Sequence, residues 1–211
     1  MTGTTTMNQV IHHAVRRDLG RLESALAAAR DGDRARARQL EQAYANLHLE
    51  LTHHHQGEDQ FVFPFLATAG AVPDLLTAMD DEHHAMADAL AQTRTAMAAY
   101  ASSGSAGDAE AARASVARTQ VVVDRHLSHE EAELEPLLEP YLESKQWKKT
   151  VEKRLRPTSL AATGNFLAWI QDGMTGEDRA YVRSRIPVPV LAILGRFAGR
   201  GYHRDIAPTW R

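Results

Sequence analysis

Apolar residues recur every three or four positions along the first part of the chain, as they do on one face of an amphipathic helix. In the first segment this stripe passes through Val15, Leu19, Leu22 and Leu26, a spacing that turns one helix face toward a core. Alternating runs rich in Val, Ile and Thr are nearly absent, which argues against a sandwich or a barrel. The hydrophobic pattern therefore predicts an all-α fold.

Three clusters of Gly, Pro, Ser, Thr and Asp interrupt this pattern and predict the ends of the helices. The clusters are residues 30–33, 67–73 and 102–108. The helices predicted between them span 8–30, 34–66, 73–101 and 109–143. Because the connections are short, neighbouring helices must run antiparallel, which gives an up-down-up-down four-helix bundle.

The four predicted helices contain an internal repeat. The motif HHQGED at 54–59 reappears as HLSHEE at 126–131, an offset of 72 residues, and IHHAV at 11–15 reappears as EHHAM at 82–86. Helices 1 and 2 therefore look like one copy of a hairpin, and helices 3 and 4 like the other.

Each copy of the longer motif is followed by a proline ten residues after its first histidine. These prolines are Pro64 and Pro136. Proline removes a backbone hydrogen bond from a helix, so we expect the last turns of helices 2 and 4 to be kinked or loosened.

Histidines are concentrated in four clusters, one on each predicted helix, which hold nine of the eleven in the chain. Residues four apart share a helix face, so His54 with Glu58, and His126 with Glu130, each present an imidazole and a carboxylate to one region. His12 and His83 are each followed by apolar residues three and seven positions later, which directs them toward the core. The remaining members are expected in solvent or behind the ligands: His13, His55, His84 and His129.

Four imidazoles and two carboxylates inside a bundle are costly to desolvate unless something compensates them, and a metal does so. Imidazole with carboxylate and without sulfur suits iron, manganese, zinc or copper, and bridging carboxylates favour a two-metal centre. Zinc or a mixed metal stays open as an alternative, as do surface His–Glu pairs. A ferritin-like site is a further alternative because Glu50 and His53 form one ExxH pair, although no second pair exists.

The motif order H…HxxxE…H…HxxxE on four helices resembles the hemerythrin HHE cation-binding domains, over roughly residues 8–143. The resemblance implies a non-haem centre of two iron ions, with Glu58 and Glu130 bridging the metals. It also implies four terminal ligands: His12, His54, His83 and His126. The tail of the chain has no counterpart in the core domain of that family.

One position departs from the oxygen-carrying members of that family, which look like HxxxH on helix 3. Four residues after His83 this chain has Ala87. With four histidines, two bridging carboxylates and an oxygen bridge, about two of twelve coordination positions on two irons stay open. We therefore expect a protein that binds oxygen species and decomposes hydrogen peroxide, or turns over nitric oxide with peroxide. Reversible oxygen or nitric oxide binding or sensing, and iron buffering, are the alternatives.

Several residues beside the candidate ligands have two open interpretations. Asp59 and Glu131 follow the ligand glutamates, and are either exposed helix charges or acceptors that orient a ligand imidazole. Phe61, Phe63 and Phe65 are expected in the core, where Phe61, one turn from Glu58, would shield bound oxygen species from water.

Charge divides the chain near residue 144. Residues 1–144 carry 11 basic and 22 acidic residues, whereas residues 145–211 carry 13 basic and 5 acidic ones, together with every lysine and tryptophan. We predict a bundle domain over 1–144 and a basic, Trp-containing extension of short helices over 145–211. The extension is expected to dock on the acidic bundle or on a second copy in a dimer. A membrane surface is a lesser alternative, and no nucleic-acid partner is expected.

The composition excludes several other chemistries. The chain has no cysteine, which rules out disulfides, thiolate zinc sites, iron–sulfur clusters and a cysteine nucleophile. The first residues lack a basic region and an apolar core, and no run reaches the roughly 18 apolar residues of a membrane span. A cytoplasmic protein is expected.

Overall fold

Four long helices form the body of the molecule. The computed structural model of the chain describes residues 5–70, 72–157 and 159–211, and none of these residues lies in a strand. The long helices are α1 (Met7–Ala27), α2 (Arg34–Gly57), α3 (Pro73–Ser103) and α4 (Ala106–His129). Helix α3 packs on α2 and α4, and α1 packs on α4 and α2. The prediction of an all-α four-helix bundle is confirmed.

The helices begin where the sequence supplies a cap. The side chains of Thr6, Asp33 and Ser105 accept a backbone N–H from the first turns of α1, α2 and α4, which satisfies donors that have no partner within the helix. Helix α3 begins with Pro73, whose missing N–H costs nothing at that position. It ends at Gly104, whose φ of 69° gives the left-handed cap that a short turn requires.

Helices α2 and α4 both change pitch within the longer repeated motif, at its glutamate. A π-helical turn spans Glu58–Val62 in one and Glu130–Leu134 in the other, and the next backbone N–H donates to the glutamate carbonyl five residues back. The proline that follows each turn, Pro64 or Pro136, would clash with a carbonyl four residues earlier in an α-helix, and a wider turn relieves this. The predicted loosening is therefore a π turn that starts at each candidate ligand glutamate.

Two predicted helix ends and one predicted start were wrong by several residues; α4 starts at Ala106, after its cap Ser105, rather than near residue 109. Helix α1 ends at Ala27 rather than near residue 30, before the turn at Gly32. The continuation of α4 ends with Glu135–Leu138 rather than near residue 143. Pro140 explains this last difference, because it cannot donate to a continuing helix.

The extension is helical and lies on the bundle. After the segment Lys145–Leu155 it forms α5 (Leu160–Gln171), α6 (Gly176–Arg185), α7 (Val188–Ile193) and α8 (Arg200–Asp205). Its residues Leu167, Trp169, Val182 and Tyr202 share one hydrophobic core with bundle residues such as Leu19. Among the helices described, none is both long and apolar enough to cross a membrane. The boundary near residue 144 stays a prediction.

A second, smaller core closes the end of the bundle beyond the π turns. The opening segment of the extension contributes to it, and Leu155 of that segment approaches Gly57 so closely that a Cβ there would lie 2.6 Å from the leucine Cδ2. The lack of a side chain at Gly57 therefore lets the segment lie against α2. The members of this end core are Val62, Phe63, Phe65, Leu66, Met79, Leu134, Leu138, Trp147 and Val151.

A buried carboxylate ties the extension to α1. Asp18 is 1% exposed and accepts hydrogen bonds from Trp169 Nε1 at 2.8 Å, Arg17 Nε at 2.8 Å and Arg21 Nη1 at 3.3 Å. Its charge is thus matched by two guanidinium groups, and the buried indole N–H of the extension has its acceptor.

We predict that Asp18→Ala lowers the free energy of unfolding by on the order of 3 kcal/mol, because it leaves a buried indole N–H and one N–H of each of two guanidinium groups without an acceptor. Denaturant unfolding measures the change. Asp88→Ala, which removes an exposed carboxylate of α3, is the control and should change stability by less than about 0.5 kcal/mol. Equal effects of the two substitutions would contradict the role given to Asp18.

Candidate metal centre

All six candidate ligands predicted from the sequence come together in the interior, between the main core and the end core. Five of them are 7% exposed or less, and the His54 side chain is 9% exposed. Helix α1 contributes one residue, α2 with its π turn two, α3 one, and α4 with its π turn two. They are His12, His54, Glu58, His83, His126 and Glu130.

The four imidazoles form two facing pairs. His12 Nε2 lies 3.2 Å from His54 Nε2, joining α1 and α2. His83 Nε2 lies 3.2 Å from His126 Nε2, joining α3 and α4. The two hairpins of the repeat thus each bring one pair of nitrogens face to face.

The two glutamates lie between the pairs. Glu58 has Oε1 3.2 Å from His54 Nε2 and Oε2 3.5 Å from His83 Nε2. Glu130 Oε2 lies 3.3 Å from His12 Nε2 and 3.8 Å from His126 Nε2. Each carboxylate therefore reaches one nitrogen of each pair, which is the placement that a bridging ligand needs.

Three further carboxylates contact the Nδ1 atoms of three of the four candidate ligand histidines. Such contacts fix the tautomer and the ring orientation of a ligand imidazole. Of the two interpretations of Asp59 and Glu131, the structure supports the orienting one. Sequence analysis missed the third acceptor, although it directly precedes His83 in the EHHAM motif. The contacts are Glu131 Oε1 to His12 Nδ1 at 2.8 Å, Asp59 Oδ1 to His83 Nδ1 at 2.7 Å, and Glu82 Oε2 to His126 Nδ1 at 3.1 Å.

These contacts show that the residues fit a metal. With Nδ1–H donating to a carboxylate, Nε2 of His83 and of His126 each carry a lone pair, and two lone pairs at 3.2 Å repel unless a cation lies between them. Glu58 Oε2 and Glu130 Oε2 are buried and find no hydrogen-bond partner among the residues that the structure describes. A metal supplies what these atoms lack.

The electrostatics of the cluster point the same way. Burial and the neighbouring Glu130 carboxylate raise the pKa of Glu58 well above its usual range. Burial lowers the pKa of His54 to about 3, whereas His12 overcomes burial through its bonds to Glu130 and Glu131, and its pKa rises to about 9. The protein interior therefore stabilises neutral ligands or an internal ion pair until a cation is present.

Of the two places expected for His55, in solvent or behind the ligands, the structure excludes solvent. This residue is 7% exposed, and its ring stacks on that of His83 with 4.3 Å between centroids. It lies four residues after the buried Leu51, so the apolar stripe of α2 continues through it, and this spacing was the signal available in the sequence. The expectation holds for the others, since His13 is half-exposed, His84 is exposed, and His129 bonds Glu82 at the rim.

The phenylalanines after Glu58 also differ in part from expectation. Phe63 and Phe65 are buried in the end core, as predicted. Phe63, rather than Phe61, lies against a candidate ligand, with its ring parallel to that of His83 at 5.3 Å. Phe61 is only partly buried and lies beneath the Arg154 guanidinium.

The ferritin-like alternative is not supported by the arrangement. Two groups of converging ligand atoms occur in the described ranges, and neither includes Glu50 or His53. His53 is exposed. Glu50 is partly buried one turn before His54, and this burial raises its pKa to about 7.

The raised pKa of Glu50 gives a prediction for stability. Between pH 4.5 and 7 the folded chain holds a proton on Glu50 that the unfolded chain releases, so stability falls as pH rises through this window. Glu50→Gln should therefore raise the melting temperature at pH 8 by roughly 5 °C and leave it unchanged at pH 4. Thermal unfolding at the two pH values measures this, with the exposed Glu139→Gln as control. A gain at pH 4 equal to that at pH 8 would contradict it.

A comparison with known protein families agrees with this geometry. The sequence model of the family described as "Hemerythrin HHE cation binding domain" matches residues 9–138, which include all six candidate ligands. No curated protein and no solved structure matches the chain significantly. Because the match covers more than half of the chain, and because the bundle brings the expected histidines and glutamates together, the chain belongs to the hemerythrin HHE cation-binding family.

Proposed function

We propose that this chain binds two iron ions and acts on small oxygen species, by decomposing hydrogen peroxide or by turning over nitric oxide with peroxide. The observation that supports it most directly is that two facing pairs of buried imidazoles share two carboxylates, each within 3.8 Å of both pairs. That arrangement has the donors for two metals rather than one.

The ligand roles follow from the distances. His12 and His54 would hold one metal, and His83 and His126 would hold the other. Glu58 and Glu130, which each reach both pairs, would contribute a carboxylate to both metals. When bound, a pair of irons supplies redox chemistry and exchangeable coordination positions for a small reactant.

The surrounding residues prepare the ligands for that task. Asp59, Glu82 and Glu131 hold the Nδ1–H groups, which turns the Nε2 lone pairs inward and makes the imidazoles more basic. The end core, in which Phe63 lies against His83, covers one side of the cluster with apolar side chains. Charged molecules are costly to desolvate there, so the site favours oxygen, hydrogen peroxide and nitric oxide, which are small and uncharged.

Reversible binding or sensing of oxygen or nitric oxide, without turnover, is a second candidate, favoured by the contacts of α1. Its His12 faces the cluster, while its neighbour His13 contacts Asp178 of α6, with Nδ1 3.0 Å from Oδ1. A shift of α1 on ligand binding would therefore reach the extension. An absorption change under oxygen that reverses on degassing, without peroxide consumption, would favour this candidate.

We also propose a cytoplasmic location, which the lack of cysteine supports. A homodimer formed through the extension remains part of the proposal. The extension buries Trp169 against the bundle of its own chain, so only its outer surface would be available to a second copy.

We predict that His54→Ala reduces oxygen evolution from hydrogen peroxide by iron-loaded protein at least tenfold, because it removes a ligand and weakens metal binding. The matched control is His53→Ala, because His53 is exposed and directly precedes His54. This variant should evolve oxygen at the wild-type rate. Equal rates from wild type and His54→Ala would eliminate peroxide decomposition at this site.

Metal analysis of the same samples separates the site from iron buffering. About two irons per chain are expected for the two-metal site, and many more for storage.

We predict that Asp59→Ala weakens metal binding by 10- to 100-fold, because His83 loses the acceptor that fixes its tautomer. Competition with a chelator measures the affinity. Asp80→Ala is the control, since Asp80 is an exposed acid of α3 beside the exposed His84. If both variants retain wild-type affinity, Asp59 is a surface charge and the orienting role is wrong.

A further inference from the structure

We infer that His55 supplies a fifth histidine to the metal centre, on the side of His83 and His126. This inference rests on the proposed two-metal site and adds to it a ligand that the family resemblance does not assign in this chain. The position that the resemblance offers, four residues after His83, is held by Ala87, which is exposed.

The location of the His55 nitrogen is the first support. Together with atoms of Glu58, His83 and His126 it forms a group whose ligand atoms all lie within 4.8 Å of one another. His55 Nε2 is buried and has no hydrogen-bond partner in the described part of the chain. A buried ring nitrogen without a partner costs free energy that a metal bond would recover.

The ring is also packed among other ligand rings rather than against apolar groups alone. It stacks on His83, with an angle of 27° between the planes, and lies edge-on to His126 at 5.2 Å between centroids. Three imidazoles from three helices therefore surround one region beside Glu58, and this crowding of nitrogen donors is the arrangement that a metal ion holds together.

The helix register explains how α2 serves both halves of the centre. Consecutive residues of an α-helix differ by about 100° in direction. His54 and His55 lie on either side of the inward direction, so one reaches His12 at 3.2 Å and the other reaches the His83 side. Glu58, three and four residues later, then lies between the two.

The internal repeat supports an inward direction for this position. The counterpart of His55 in the second copy, 72 residues later, is Leu127, which is completely buried. The position thus faces the interior in both hairpins, and histidine in one copy makes the two halves of the centre unequal.

The consequence is a single exchangeable position. Four histidines leave about two open positions on a pair of irons, and a fifth fills one of them. Because His55 lies on the side of His83 and His126, the remaining position belongs to the metal held by His12 and His54. A small reactant would then bind at one defined end of the centre, and one open position rather than two favours the reversible-binding candidate over peroxide turnover.

Counting the coordinated histidines tests this inference without measuring activity. The full chain is loaded with cobalt(II), and the hyperfine-shifted, solvent-exchangeable imidazole N–H signals are counted by proton NMR. Five signals are expected from the wild type, five from the His53→Ala control and four from His55→Ala. Chelator competition should show cobalt held at least tenfold more weakly by His55→Ala than by the control.

The outcomes separate this inference from the proposed function. Four signals from the wild type, or an unchanged count in His55→Ala, would overturn the role of His55 while leaving the two-metal site in place. A wild type that binds no cobalt and no iron would overturn the proposed site itself. If His55→Ala does not fold, the wild-type count decides alone, because five signals support the inference and four exclude it.

Discussion

The arrangement of the bundle depends on one electrostatic constraint: buried nitrogen and oxygen lone pairs that face one another need positive charge between them. His83 and His126 meet at 3.2 Å with their outer nitrogens already bonded to carboxylates. For this to happen, the inward-facing histidines of all four helices must lie at the same depth in the bundle. The end core must also exclude water from the side beyond them. Packing of the helices and the chemistry of the centre are therefore parts of the same requirement, since loosening either one exposes the other to water.

The internal repeat shows how such a centre is assembled from one simple unit. Each hairpin supplies two facing histidines and one glutamate, and each acid that follows a ligand glutamate holds a histidine of the other hairpin: Asp59 bonds His83, and Glu131 bonds His12. The hairpins therefore orient each other's ligands. The copies differ at His55 and Leu127, and at Glu82, whose counterpart is Ile11. Both differences add polar groups beside His83 and His126, because His55 of α2 stacks on His83 and Glu82 accepts from His126.

Spacing along the sequence was sufficient for the fold and for the six residues that converge, because i and i+4 share a helix face whatever the neighbours are. For His55 the spacing after the buried Leu51 carried the signal, but it competed with the assignment of the inward direction to His54, since consecutive residues of a helix differ by about 100°. Two roles stayed open for Asp59 and Glu131, because the sequence does not show whether a histidine of another helix contacts a carboxylate on a helix surface. Glu82 was missed for the same reason, since its partner His126 lies 44 residues away. The helix ends failed where a local turn, or Pro140, outweighed the apolar pattern.

The π turns after the ligand glutamates have a structural consequence of their own. A π turn takes five residues where an α turn takes about four, so the side chains beyond it are set back by roughly a quarter of a rotation. The segment of α2 that carries the histidines and the segment that starts at Phe63 can therefore face different directions, and the same holds for α4 and the segment that starts at Glu135. Substitution of the cap residues leaves the alignment of the donors intact, whereas losing one residue from either turn would misalign everything that follows it.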